Sequence, residues 1–160
     1  MKTSCNFGLI YADEQGYEYF FDQARGLDMD KANILVVDDE ENLLSVLDMT
    51  LTSAGYSIIT ANNGKDAVVL AKSKCPDLII MDLSMPGMDG DEVAEKLRHL
   101  PETKEIPILF LTALYSKEQQ DAKGHVVGGN VFMAKPYETK TLLAMINKML
   151  AENYSSSQKI

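Results

Sequence analysis

Between Asn33 and Leu150 the chain alternates short apolar runs with longer amphipathic stretches. Asn33-Ile-Leu-Val-Val37 is apolar and β-branched, the pattern of a strand buried on both faces. Asn42 to Ala54 places Leu43, Leu44, Val46, Leu47, Met49 and Leu51 at helical spacing, and Gly55 stops it. Tyr56 to Thr60 reads as a shorter strand. Asn62-Asn-Gly64 reads as a turn, and Lys65 to Lys74 as a helix ended before Pro76. Leu78 to Met81 is a third buried strand, and Asp91 to Leu100 a helix with Val93, Ala94 and Leu97 inward. Pro107 to Leu111 is a fourth strand. Ser116 to about Val127 is a weaker helix, since Gly124, Gly128 and Gly129 each cost about 1 kcal/mol against Ala inside a helix. Val131 to Ala134 is a fifth strand, and Thr139 to Leu150 a strongly patterned helix. Five strands alternating with five helices predict a parallel sheet with helices on both faces and right-handed crossovers. Strand order does not follow from periodicity.

Two flanking stretches depart from this rhythm. Residues 1–30 carry Phe7, Tyr11, Tyr17, Tyr19, Phe20 and Phe21, with six acids against Lys2 and Arg25. Tyr17 to Arg25 is expected to form a short amphipathic helix ended by Gly26. The stretch is too aromatic for a plain disordered tail. It reads either as an arm docking on the domain or on a second copy, or as an over-long start with Met29 as the natural first residue. Residues 31–150 form the domain, and the Ser-rich 151–160 is expected to be a flexible tail.

Composition narrows the function classes. Hydrophobic residues make up 46% and charged residues 24%, the balance of a globular chain. The formal charge of −9 repels phosphate backbones and argues against direct nucleic-acid binding. No apolar run reaches the roughly 18 residues of a membrane span, and the start lacks a signal-peptide pattern. Cys5 and Cys75 match no metal or redox spacing and read as reduced thiols of a cytoplasmic protein.

The chemistry collects where the strands end. In parallel α/β sheets, ligands gather just beyond the carboxyl ends of the strands. Asp38 and Asp39 follow the first strand, and Asp82 the third, ahead of a loop broken by Pro86, Gly87 and Gly90. Each residue has a bland reading by itself: Asp38-Asp-Glu-Glu41 as a helix-opening acidic run, Asp82 as turn chemistry, Lys135-Pro136 as a loop. Together they form a pattern. If the first and third strands are neighbours, three carboxylates converge and need a positive charge among them. A hard cation with oxygen ligands, Mg²⁺ above all with Mn²⁺ as a substitute, answers that need, and the lack of nearby His or Cys disfavours zinc. Thr112 at the end of the fourth strand adds a hydroxyl, and Lys135 after the fifth adds an ammonium. Such a rim suits a phosphoryl group, with Asp82 as nucleophile.

Asp38-Asp39, Met81-Asp82-Leu-Ser-Met-Pro-Gly-Met-Asp-Gly90, Leu111-Thr-Ala113 and Ala134-Lys-Pro136 resemble the signature of response-regulator receiver domains of two-component systems, CheY-like and of the single-domain type. The resemblance covers about residues 31–150. It implies a flavodoxin-like (βα)5 doubly wound sheet of order 2-1-3-4-5. It implies phosphotransfer to Asp82 from a histidine kinase or histidine phosphotransfer protein, with Mg²⁺ on Asp39, Asp82 and the Ser84 backbone carbonyl and on Asp38 through water. Thr112 and Lys135 would hold the phosphoryl group, and Lys135–Pro136 would be a cis peptide. Phe132 would follow Thr112 in a switch read by a downstream protein on the face of the fourth helix, fifth strand and fifth helix. Ser84 and Leu114 would tune hydrolysis of the aspartyl-phosphate. Only self-phosphorylation and autodephosphorylation are implied, with no turnover of an external substrate. With ten residues after Leu150, a stand-alone receiver or a piece of a longer chain is expected, with a homodimer formed through residues 1–30 or through that output face.

Two other classes compete. An aspartyl-nucleophile phosphatase of the haloacid-dehalogenase type needs a second acid two residues after the nucleophile, where this chain has Ser84. A pseudo-receiver acting as an unphosphorylated interaction module need not bind Mg²⁺. A flavin-binding flavodoxin is disfavoured because no Ser/Thr-rich loop follows Val37.

Overall fold

The computed structural model describes residues 8–12, 18–22, 32–113, 125–127 and 130–157. The chain divides into two compact units, Met1–Lys31 and Ala32–Ile160. In the first, β1 (Gly8–Ala12) pairs antiparallel with β2 (Glu18–Asp22). The helix expected over Tyr17–Arg25 is therefore not formed, because Glu18–Asp22 is a strand. Tyr19, Phe20 and Phe21 have high strand propensity, and an adjacent partner segment satisfies the ladder.

In the second unit the elements run β3 (Asn33–Val37), α1 (Glu41–Ser53), β4 (Ser57–Ala61), α2 (Gly64–Lys74), β5 (Leu78–Asp82), α3 (Gly90–His99), β6 (Ile108–Thr112), β7 (His125–Val127), β8 (Asn130–Ala134) and α4 (Thr139–Ser157). The sheet order is β4-β3-β5-β6-β8-β7. The first five of these strands are parallel, which is the flavodoxin-like order 2-1-3-4-5 of the five expected strands.

Strand residues alternate between two cores, as the period of two requires. Ile34, Val36, Leu78, Ile80, Leu109, Leu111 and Met133 meet α1 and α4 through Leu44, Leu47, Leu51, Leu142 and Ile146. Leu35, Val37, Ile79, Met81, Phe110 and Phe132 meet α2 and α3 through Ala67, Ala71, Val93 and Leu97. Ile34–Val37, Leu78–Met81 and Ile108–Leu111 are continuous apolar runs because both faces of the central strands are covered.

Local chemistry sets the helix ends. Asn63 caps α2 by accepting from the Asp66 N–H at 2.9 Å, and Asp89 caps α3 by accepting from the Glu92 N–H at 3.0 Å. After α1, Gly55 takes φ +105, and the Tyr56 N–H returns to the Leu51 carbonyl at 3.0 Å.

Two further expectations change. Of the helix expected from Ser116 to Val127, the part at His125–Val127 is an edge strand antiparallel to β8, and the remainder lies outside the described residues. Val127 pairs with Asn130 across Gly128 and Gly129, and a two-residue Gly-Gly link is a hairpin signal rather than mere helix damage. At the other end, α4 runs on to Ser157 where a tail was expected from Ala151.

The loop between β5 and α3 is held close to the sheet. The Gly90 N–H donates to the Leu83 carbonyl at 2.9 Å, and a Cβ on Gly90 would lie 2.4 Å from the Asp82 carbonyl oxygen. That neighbour is backbone and cannot swing away. Gly90→Ala is therefore expected to lower unfolding stability by about 1–3 kcal/mol, the range for an overpacked site. Chemical denaturation that leaves the midpoint unchanged would show that the loop can move aside.

Candidate functional site

β3, β5, β6 and β8 each deliver their last residue or the one after it to the same rim. Asp38 follows β3, and its N–H pairs with the Ala61 carbonyl at 3.2 Å, so the ladder holds the backbone beneath its carboxylate. Asp38 is buried, with 2% of its surface exposed. Its Oδ1 accepts from the Glu40 N–H at 2.9 Å, and its Oδ2 accepts from Lys135 Nζ at 2.9 Å. Asp82 ends β5, beside β3 in the sheet, and its Oδ1 lies 3.5 Å from the same Nζ. Asp39 is exposed, yet Asp38, Asp39 and Asp82 each bring a carboxylate oxygen within 4.8 Å of the others'. The sheet order thus brings the two acid-bearing strands together, which periodicity alone left open.

Thr112 ends β6 and is buried. Its carbonyl accepts from the Lys135 N–H at 2.7 Å, continuing the β6–β8 ladder up to the lysine. Lys135–Pro136 is a cis peptide. Phe132 is buried in β8 and stacks on Phe110, with ring centroids 5.0 Å apart. Ser84 is exposed, two residues beyond Asp82. Leu114 lies outside the described residues.

The electrostatics follow from crowding. Burial raises the Asp82 carboxyl above the ordinary range, and the neighbouring Asp38 adds to this; Lys135 and the Ser84 backbone pull the other way without cancelling it. For Lys135, burial by itself disfavours the ammonium. The hydrogen bond and charge of Asp38, then Asp82, outweigh that and raise its pKa. Three carboxylates against one ammonium leave two negative charges, and all the donors are oxygens. That set fits a divalent hard cation. A groove of about 560 Å³ between α1 and α2, lined by Leu44, Asn62, Asp66 and Val69 among others, contains none of the three acids.

Sequence reasoning missed Tyr137. It is half-buried, and burial raises its hydroxyl pKa, with Lys135 opposing and Asp38 reinforcing. Its only sequence signal is its place two residues after the lysine.

The family model of the response regulator receiver domain matches residues 34–147. The chain belongs to this family. The receiver is 36% identical over 117 residues to the phosphate regulon transcriptional regulatory protein PhoB of Rhizobium meliloti, over 73% of this chain and 51% of that protein. It spans about half the length of the transcriptional regulators it matches. Among solved structures it is similar to the chemotaxis protein CheY4 of Vibrio cholerae, at 34% identity and a TM-score of 0.64, covering 74% of this chain and 98% of that one. It is also similar to the receiver domain of a Pseudomonas aeruginosa sensor histidine kinase, at 27% identity and a TM-score of 0.65, covering 76% of this chain and 98% of that one. Receivers are phosphoacceptor domains of two-component systems that bind Mg²⁺ and meet histidine kinases and downstream effectors. Among the described residues, no helix is long and apolar enough to cross a membrane.

Two stability effects follow for the metal-free receiver. Removing the ammonium strands the buried Asp38 charge, so Lys135→Met is expected to cost about 3 kcal/mol, the low end for a broken buried pair because the rim admits water. In an Asp38→Asn background the same change should cost much less. The raised Asp82 pKa has the opposite sign. The stability it contributes is fully present below the unfolded carboxyl pKa and is lost as pH rises through the folded one. Ionised Asp82 therefore destabilises the fold at neutral pH, and Asp82→Asn should raise the thermal midpoint in EDTA at pH 7 but not at pH 3. An unchanged midpoint at pH 7 would contradict this.

Proposed function

We propose that Asp82 accepts a phosphoryl group from the phosphohistidine of a histidine kinase or histidine phosphotransfer protein. The observation that carries this reading is the Lys135 ammonium set between Asp38 and Asp82, with Asp39 open to solvent beside them. A carboxylate oxygen of Asp82 attacks phosphorus while the bond to the imidazole nitrogen breaks in line. Lys135 neutralises charge on the transferring group, and the Thr112 hydroxyl donates to a phosphoryl oxygen. Asp39, Asp82 and the Ser84 backbone carbonyl would hold Mg²⁺ or Mn²⁺, with Asp38 bound through water; the cation supplies neutralisation of the equatorial oxygens. The similar Pseudomonas aeruginosa receiver domain holds a magnesium ion in its active-site cleft.

The output is a population shift. Phosphoryl on Asp82 draws Thr112 toward it and favours the inward, stacked position of Phe132, by no more than the difference in affinity between the two states. Phe132 has no hydroxyl, so an outward state gains no hydrogen bond from it. Ser84 and Leu114 set how fast water hydrolyses the aspartyl-phosphate. The chemistry is confined to Asp82 itself. Ser84 stands where a phosphatase of the competing class would need its second acid. The signal passes to a downstream protein in the cytoplasm, and the net charge of −9 speaks against nucleic acid as the direct target of this stretch.

Intact mass spectrometry after incubation with Mg²⁺ and acetyl phosphate is expected to show one added phosphoryl group, absent from Asp82→Asn and absent in EDTA. No adduct, together with no response to a beryllium fluoride titration, would leave the pseudo-receiver reading in its place.

A further inference from the structure

Strand register builds a small patch of side chains just below the acidic rim. In the β6–β8 ladder Phe110 pairs with Phe132, and Thr112 with Ala134. By the period of two, these four residues lie on one face of the sheet. All four are buried, Phe110 completely. The two rings stack with centroids 5.0 Å apart and planes inclined by 17°. An aliphatic side chain would meet the apolar demand of β6 at this position, as Ile108, Leu109 and Leu111 do at theirs. The ring of Phe110 is therefore a separate feature to explain. The stack joins β6 to β8 and involves no atom of Asp82. The inward position of Phe132 is thus supported by packing that does not pass through the phosphoacceptor.

We propose that Phe110 is a positioning residue that holds Phe132 inward before any phosphoryl group arrives. The resting receiver is then already shifted toward the state that phosphorylation favours. Swinging Phe132 outward would give up the stack and open a void against a fully buried ring, which a close-packed interior resists. A stacked pair at this separation multiplies the inward-to-outward ratio about two- to tenfold beyond what area burial gives. The consequence for phosphorylation rests on the reading of Asp82 as phosphoacceptor. A phosphoryl group that prefers the inward state meets it already populated, and is spared the loss of apparent affinity that a minor state imposes.

Ring NMR on the full chain in EDTA tests the resting state without a phosphodonor. Strong contacts between the Phe110 and Phe132 rings are expected. Phe110→Leu should lower the inward-to-outward ratio of Phe132 about two- to tenfold, read from its ring shifts. Leu35→Ala, a truncation in the same core two strands away, should leave those shifts in place. With Mg²⁺ added, a beryllium fluoride titration should saturate with little movement of the wild-type Phe132 ring. In Phe110→Leu it should draw the ring inward and need up to about tenfold more beryllium fluoride. Three results overturn the proposal: no contact between the two rings in the resting wild type; equal displacement of Phe132 in Phe110→Leu and Leu35→Ala, the mark of a generally loosened core; or a wild-type Phe132 that moves on beryllium fluoride as far as the variant's. Should Phe110→Leu fail to fold, the wild-type contacts and titration decide alone. Beryllium fluoride that shifts no amide near Asp82 would sink the phosphoacceptor reading, while the resting contacts and the variant shifts would still decide the role of Phe110.

Discussion

The arrangement turns on one ammonium among carboxylates. Lys135 Nζ sits 2.9 Å from Asp38 and 3.5 Å from Asp82, on a rim where Asp38 is almost fully removed from water. Without it, two acids on neighbouring strands would repel at close range in a medium of low effective dielectric. The rest of the fold meets the requirement that this geometry hold. The β3–β5 and β6–β8 ladders fix the strand ends, and the Lys135 N–H is itself tied to Thr112. The compensation is incomplete, and the residual negative charge that makes the rim costly to fold also makes it receptive to a cation.

The sheet supplies rigidity from both sides. The apolar runs Ile34–Val37, Leu78–Met81 and Ile108–Leu111 alternate between two helix layers, so a change of register by one residue would exchange the two cores. The acids emerge at the first positions where that apolar demand ends, close enough to the core to be partly desolvated. Phe110 and Phe132 stack within the layer covered by α2 and α3, which links the strand carrying Thr112 to the strand leading to Lys135.

Much of this was legible in the sequence because its signals were strong and local. The runs at Asn33–Val37 and Leu78–Met81, the helical spacing of Leu44, Leu47 and Leu51, and the turn residues around Gly87 each carry a mechanism that periodicity reads directly. The convergence of Asp38, Asp39 and Asp82 was conditional on strand order, which is a tertiary fact. The failures share a cause. At Glu18–Asp22 and His125–Val127 a neighbouring segment decided the outcome by offering a ladder, and intrinsic pattern in so short a window does not outweigh a partner. Tyr137 escaped notice because its tie to the site is electrostatic reach through space, and its place two residues after Lys135 carries no mechanism that periodicity reads.

The edge strand β7 has a topological consequence. The chain leaves β6 at the acidic rim, and His125, which opens β7, pairs with Phe132 only two residues short of the end of β8. β7 thus runs against β8 from near the rim end of the sheet toward its other end and closes that flank with an antiparallel edge. The parallel strand that leads to Lys135 is thereby an interior strand, and a further strand could join the sheet on that side only along β7.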